Sequence, residues 1–131
     1  MAKTIEVTFP GGKKIDAKIG RHVIKTDQSV KNGGEESAPP PFDLFWASIA
    51  TCAGINVWLF CEARKLSTDG MALTMNCSFN PEEKRYDKAK IDLKLPEGFP
   101  EKYRKAVVRA MNLCPVKKHI MNPPEFEVNA H

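Results

Sequence analysis

The chain has 131 residues, of which 42% are hydrophobic, 27% charged and 8% aromatic. This composition excludes a largely disordered chain, a collagen-like repeat and a disulfide-rich miniprotein. A net charge of +4 is too small to indicate nucleic acid or an anionic membrane as a partner. The length predicts one domain over residues 1–131.

The cysteines and the N-terminus predict a reducing compartment, which we take to be the cytoplasm. Residues 1–6 lack the apolar run of a secretory signal. Four cysteines are scattered without close pairs: Cys52, Cys61, Cys77 and Cys114. In a reducing compartment such cysteines are buried or reactive rather than bridged. Without CxxC or HxxxH spacing, we expect no metal site and no cofactor.

Short alternating runs predict three strands in the first 26 residues. Ile5, Val7 and Phe9 alternate with polar residues, the period of a half-buried strand. Turn residues then lead into a second run, and Gly20 separates it from a third over residues 22–26. Residues 27–41 are rich in Gly, Pro, Ser and Asn, which predicts a loop long enough to have a functional or interface role.

An uncharged stretch at residues 44–61 dominates the chain. Its 18 residues reach the length of a membrane-spanning helix, but polar residues within it favour a helix buried in a core or between subunits. The prolines at residues 39–41 set the helix start, and Asp43 in the first turn suits the helix dipole. Because one small chain cannot cover every face of this helix, we predict a homodimer with a large apolar interface.

Beyond Gly70 the pattern predicts two more strands, over residues 72–79 and from Tyr86 onwards. In the second, apolar residues alternate with charged ones that include Lys88, Lys90 and Lys94. This lysine stripe is either a phosphate-binding face or the solvated side of an antiparallel sheet. The solvated side is by far the commoner case.

The last third of the chain predicts two short helices and a final strand. An amphipathic pattern spans residues 100–112, Cys114-Pro115 opens a helix through Met121, and residues 126–129 alternate like a strand. The predicted class is therefore α+β, with about six strands in antiparallel sheets, one long buried apolar helix and two shorter helices.

The surroundings of Cys52 and Cys114 predict opposite reactivities. Cys52 lies in the middle of the apolar helix, where a small buried hydrophobe is the commonest role for cysteine. Burial there raises the thiol pKa, and the helix dipole fades beyond the first turn. Cys114 is placed as the N-cap before Pro115, where unpaired backbone N–H groups favour its thiolate. A reactive Cys52 therefore requires a cation from elsewhere in the fold.

Two stretches of the chain carry the cysteine motifs. The first runs from Asp27 through Gly33-Gly34 and Pro41-Phe42-Asp43-Leu44 to Ala50-Thr51-Cys52, and the second is Leu113-Cys114-Pro115-Val116-Lys117-Lys118. Together these motifs resemble the OsmC/Ohr family, the osmotically inducible and organic hydroperoxide resistance proteins. The order of the elements also matches: strands, glycine-rich loop, long apolar helix with a cysteine, hairpin, helix, Cys-Pro and final strand.

The resemblance implies an OsmC-like fold, an intertwined homodimer and thiol-dependent reduction of organic hydroperoxides. It puts Cys52 in the peroxidatic role, where it becomes a sulfenic acid, and Cys114 in the resolving role, where it closes a disulfide. An external dithiol then reduces the pair. Neither nucleic acid nor membrane is an implied partner.

The chain departs from the family pattern beside the loop prolines. Organic hydroperoxide reductases carry a glutamate directly after the loop proline, where it holds the arginine that stabilises the thiolate. Phe42 occupies that position here, and the acid comes one residue later, as Asp43. That offset turns the carboxylate by about 100° on a helix. The candidate arginine is Arg21, which is otherwise an exposed turn residue beside Gly20.

Three function classes stay open at this point. The first is a thiol peroxidase. The second is an OsmC-like binding protein for a small apolar or thiol ligand, with a pocket built by Phe42, Phe45, Trp46 and the proline loop at the dimer seam. The third is a stress-associated structural protein whose cysteines belong to its core.

Overall fold

In the computed structural model, which describes residues 2–131, the chain alternates two groups of strands with helices. The predicted α+β class with antiparallel sheets is confirmed. The elements of regular structure are β1 (Ile5–Gly11), β2 (Lys14–Ile19), β3 (His22–Thr26), α1 (Pro41–Ala63), β4 (Ala72–Asn80), β5 (Arg85–Lys94), α2 (Arg104–Met111) and α3 (Pro115–Met121). Two compact units, residues 1–47 and 48–131, divide within α1. The single domain stays a prediction.

The first unit holds an antiparallel sheet in the order β1-β2-β3. Residues that pair across neighbouring strands share a face, so the register gathers most of the apolar side chains on one side of the sheet. These residues are Ile5, Val7, Ile15, Ala17, Ile19 and Ile24. Ile5 and Val7 are about half exposed, so this apolar face is incompletely covered within the chain.

A buried carboxylate organises the loop after β3. Asp27 has no exposed surface, and its two oxygens accept hydrogen bonds from the Gln28 N–H (2.7 Å), the Ser37 N–H (3.1 Å) and the Ser37 hydroxyl (2.6 Å). A side chain at Gly34 would overlap the Gln28 carbonyl and approach the Asp27 carboxylate. The loop therefore closes around Asp27, and only glycine fits at position 34.

The second unit packs the C-terminal part of α1 against the β4-β5 hairpin and α2. One stripe of α1 is buried, from Ala53 through Val57 to Phe60 and Cys61, and it meets Val107 and Met111 of α2. Partly buried residues of the hairpin, among them Leu73, Ile91 and Leu93, pack against this core. The lysines of β5 lie on the other, exposed face of the hairpin.

The opposite side of α1 is apolar but exposed in the single chain. Ile55, Trp58 and Leu59 are each 44–51% exposed, and their spacing places them on one helix face. By length and hydropathy (1.6) the helix also meets the minimum for a membrane span. One such helix is weak evidence for a membrane protein, because core helices of soluble proteins meet the same criterion.

The C-terminal third differs from the sequence prediction in two places. The predicted helix over residues 100–112 begins as a 3-10 turn at Glu101–Tyr103 and is α-helical only from Arg104. The prediction of a strand at residues 126–129 is wrong, because this segment has no regular structure. Residues 2–131 contain five strands instead of the predicted six or so. A strand requires a hydrogen-bonded neighbour, and this exposed segment pairs with none of the five.

Candidate functional site

The second unit brings Cys52 and Cys114 together. Cys52 lies in the middle of α1 and is half-buried, whereas Cys114 is buried at the N-cap of α3. The Cys52 thiol is within hydrogen-bond reach of the Cys114 sulfur. Both cysteines are free thiols. The sequence alone did not determine this proximity, since no local pattern constrains two residues so far apart in the chain.

The interaction between the thiols shifts their pKa values in opposite directions. Burial, followed by the neighbouring Cys114 sulfur, raises the pKa of Cys52, although the Val116 N–H opposes the shift. Burial also disfavours the Cys114 thiolate, but the hydrogen bond from Cys52, the N–H groups of Lys117 and Val116 and the Lys117 charge together lower the Cys114 pKa. In the reduced pair, the surroundings therefore favour the thiolate at Cys114 over the thiolate at Cys52.

Polar contacts fix the segment that carries Cys114. Asn56, one helical turn after Cys52, donates a hydrogen bond from its side-chain amide to the Leu113 carbonyl at 2.7 Å. The Lys117 ammonium donates to the Asn112 side-chain oxygen at 2.7 Å. The Cys114 sulfur lies at the N-cap of α3, beside the N–H groups of Val116 and Lys117 in the first turn of that helix.

The other two candidate residues, Arg21 and Asp43, belong to the first unit. Arg21 is exposed in the turn between β2 and β3, next to Gly20. Asp43 lies in the first turn of α1, as predicted, and lines an open cleft of about 410 Å3 with Ser29, Glu36 and Ser37. The roles of both residues stay predictions.

The remaining cysteines have structural surroundings. Cys61 is fully buried in the core of the second unit, where burial raises the pKa of its thiol. Cys77 is half-buried on β4, on the same face of the hairpin as Met75. Neither residue belongs to the Cys52–Cys114 pair. Cys61 and Cys77 can therefore serve as internal controls when the chemistry of that pair is measured.

An aromatic cluster marks the start of α1 in the first unit. The ring centroids of Phe42 and Phe45 are 6.0 Å apart in a stacked arrangement, and Trp46 meets both rings edge-on. Phe42 is 53% exposed and Phe45 39% exposed. The residues predicted for an apolar ligand pocket therefore do lie together.

Sequence reasoning missed the contributions of Asp27, Asn56 and Lys117. Asp27 could have been found from the sequence, because it is a single acid between a predicted strand and a Gly-Gly loop. For Asn56 the signal was an amide within an otherwise apolar helix, four residues after a cysteine, which places both on one face. For Lys117 it was a cation in the first turn of the helix that Cys114 caps.

Comparison with known proteins identifies the family. The family model for OsmC-like protein matches residues 33–129. The chain belongs to the OsmC-like protein family. No curated protein sequence matches this OsmC-like protein significantly. The matched residues include α1 with Cys52 and the Cys114-Pro115 segment.

Solved structures show the same fold at low sequence identity. A protein from Psychrobacter arcticus 273-4, named for osmotic stress induction and a detoxification response, is 23% identical with a TM-score of 0.74, over 88% of this chain and 85% of that one. An organic hydroperoxide resistance protein OsmC from Legionella pneumophila is 20% identical with a TM-score of 0.58, over 92% and 89%. A hypothetical protein from Aquifex aeolicus VF5 is 17% identical with a TM-score of 0.66, over 95% and 91%. These likenesses confirm the OsmC/Ohr fold.

Proposed function

We propose that this OsmC-like protein is a thiol-dependent peroxidase that reduces organic hydroperoxides in oxidative-stress defence. The observation that carries the proposal is the proximity of two reduced thiols, Cys52 and Cys114, each of which shifts the pKa of the other. A nucleophilic sulfur with a second thiol in contact is the arrangement required for oxidation to a sulfenic acid followed by disulfide closure. The structural neighbour from Legionella pneumophila is itself named for hydroperoxide resistance.

The reaction requires three steps, the last of which uses an external reductant. The Cys52 thiolate attacks the terminal oxygen of the hydroperoxide, the O–O bond breaks, and the departing alkoxide takes up a proton to become an alcohol. The Cys114 thiol then displaces the oxygen of the Cys52 sulfenic acid, which forms the disulfide and releases water. A dithiol finally reduces the disulfide and becomes oxidised itself.

The location of the negative charge decides which sulfur attacks. Within the second unit the surroundings of Cys114 favour its thiolate, and Cys52 holds its proton. Attack by Cys52 therefore needs a cation that stabilises its thiolate and moves the shared proton to Cys114. We propose that Arg21 supplies this charge. Asp43 is the acid that the chain offers in place of the family glutamate, but the one-residue offset turns it by about 100°, so we expect Arg21 to be held less rigidly, and the rate to be lower, than in dedicated hydroperoxide reductases.

We further propose that the protein is a homodimer that acts in the cytoplasm. Each unit leaves an apolar surface uncovered: Ile55, Trp58 and Leu59 on α1, and the apolar face of the β1-β2-β3 sheet. Contiguous exposed apolar surface of this kind is rare on monomers. A second copy is the partner that supplies the same surfaces in reciprocal positions. Free thiols at the site suit a reducing compartment.

One observation favours a second candidate function, binding of a small apolar or thiol ligand with little peroxidase activity. The exposed rings of Phe42 and Phe45, with the more buried Trp46 packed against both, form an aromatic surface typical of ligand pockets. A hydroperoxide resistance protein from Vibrio cholerae has been solved with captopril in one of its active sites. Ligand-dependent stabilisation without any thiol oxidation would favour this binding function.

Steady-state consumption of cumene hydroperoxide with a dithiol reductant tests the proposed peroxidase. We expect turnover by the native protein, loss of turnover to the uncatalysed rate in Cys52→Ser, and native turnover in the matched control Cys77→Ser. Equal rates for Cys52→Ser and the native protein would overturn the proposal. Loss of activity in Cys77→Ser as well would assign the effect to folding, which circular dichroism checks independently.

A further inference from the structure

A single side-chain hydrogen bond ties the Cys114 segment to the helix that carries Cys52. Asn56 donates from its amide nitrogen to the Leu113 carbonyl at 2.7 Å, although 57 residues separate the two in the chain. Asn56 follows Cys52 by four positions, so both side chains lie on the same face of α1. Leu113 directly precedes Cys114. The bond therefore joins a residue one helical turn after Cys52 to the residue directly before Cys114.

Packing of the Leu113 side chain does not hold this segment. Leu113 is 77% exposed, and it lies in the short link between α2 and α3. Its own N–H bonds back to Ala110 at 3.2 Å, within the end of α2. The hydrogen bond from the Asn56 amide therefore links the Leu113 carbonyl to α1. This bond fixes the position of the backbone directly before Cys114.

Asn56 is also a costly residue at its position. Asparagine is a poor helix former in helix interiors, because its side chain competes for backbone hydrogen bonds. The remainder of the stretch at residues 44–61 is uncharged and mostly apolar. The bond to Leu113 gives this polar residue a specific task that an alanine or leucine could not perform.

We propose that Asn56 is a positioning residue that holds Cys114 against Cys52 and so promotes disulfide closure between them. This role rests on the proposed function, in which that disulfide is the product of each turnover. Disulfide geometry is narrow, with Cβ atoms about 3.5–4.5 Å apart. Release of the Leu113 carbonyl lets the Cys114 segment drift, and a misplacement of about 1 Å costs up to a hundredfold in rate.

Asn56→Ala removes the amide while favouring the helix, and Asn76→Ala, at an exposed position on β4, is the matched control. Asn56→Gln keeps an amide donor. Two quantities are measured: the Cys52–Cys114 dithiol–disulfide equilibrium against glutathione, and the lifetime of the Cys52 sulfenic acid after one equivalent of hydroperoxide, trapped with a 1,3-dione. The first measurement needs no peroxide.

In Asn56→Ala we expect about tenfold weaker disulfide formation against glutathione and about tenfold longer sulfenate lifetime, with the first oxidation unchanged within about twofold. Asn56→Gln restores part of the loss, and Asn76→Ala matches the native protein. The positioning role would be overturned if a folded Asn56→Ala protein had the dithiol–disulfide equilibrium and the disulfide-closure rate of the native protein. If oxidised glutathione closes the disulfide in the native protein but hydroperoxide does not, the proposed peroxidase fails, and the glutathione equilibrium of Asn56→Ala still decides the positioning role.

Discussion

The thiol of Cys52 lies within hydrogen-bond reach of the sulfur of Cys114, and after burial each group shifts the pKa of the other. The Cys114 sulfur lies beside the Lys117 charge and the N–H groups that begin α3, whereas Cys52 lies half-buried in an apolar helix. The pair therefore holds one easily lost proton and one tightly held proton. Once the first proton is lost, the reactivity of the site depends on which sulfur keeps the second proton. A third, charged group decides this.

Removal of the Cys52 thiol should raise the pKa of Cys114. In Cys52→Ala the thiolate loses a hydrogen-bond donor, so alkylation of Cys114 by iodoacetamide should reach half its maximum rate at higher pH than in the native protein. Peptide mass spectrometry at a series of pH values gives the rate for each cysteine separately. A Cys114 profile that is identical in both proteins would contradict the contact.

Arg21→Ala should move reactivity away from Cys52. If the guanidinium stabilises the Cys52 thiolate, its loss raises the alkylation pKa of Cys52 and lowers the hydroperoxide rate by about tenfold to a hundredfold. Lys18→Ala, at an exposed position on β2 of the same unit, controls for general loss of positive charge. An unchanged Cys52 profile in Arg21→Ala would leave Arg21 as a turn residue only.

Much of the fold was predictable because its signals are local. The alternation around Ile5 and Val7, the proline-set start of α1 and the Cys114-Pro115 helix start all appear in the sequence and in the structure. The alternation at residues 126–129 failed as a guide, because strand formation depends on a neighbour that the pattern does not supply. The contact between Asn56 and Leu113 was equally hidden, since it depends on tertiary packing.

Cys114→Ser should separate the two chemical steps. Without the resolving thiol, we expect one equivalent of hydroperoxide to be consumed and the Cys52 sulfenic acid to persist, after which excess peroxide drives it to the sulfinic acid. Intact mass gives gains of one and then two oxygen atoms. Sustained turnover in Cys114→Ser with a dithiol would show that the second cysteine is dispensable.

Asp27 should contribute stability that depends on pH. Hydrogen bonds from the Ser37 side chain and then from the Gln28 N–H lower its pKa from 3.8 to about 2 in the folded protein. Because the folded pKa lies below the unfolded one, this stability is present above about pH 4 and is lost as the pH falls towards 2. Asp27→Asn should lower Tm by several degrees at pH 7, with a difference that shrinks below pH 4.

The matched control for Asp27 is Asp69→Asn, at an exposed loop position. It should melt like the native protein at both pH values. A Tm difference for Asp27→Asn that stays constant from pH 7 to pH 2 would show that the carboxylate charge has no part in loop stability.

The apolar face of α1 should be buried in a homodimer. We expect light scattering to give twice the 14.7 kDa chain mass, and Leu59→Arg to dissociate the dimer, because it places a charge among Ile55 and Trp58. Thr74→Arg, on the exposed face of β4, is the control and should stay dimeric. A stable native monomer at micromolar concentration would contradict the homodimer.

Cys52 and Cys114 should form a disulfide in response to an organic hydroperoxide. The direct measurement treats the reduced protein with one equivalent of cumene hydroperoxide, quenches it in acid and maps the non-reduced peptides by mass spectrometry. The predicted result is a loss of two hydrogen atoms and one linked pair of peptides, which contain Cys52 and Cys114, with Cys61 and Cys77 still reduced. Four free thiols and unconsumed hydroperoxide would contradict it.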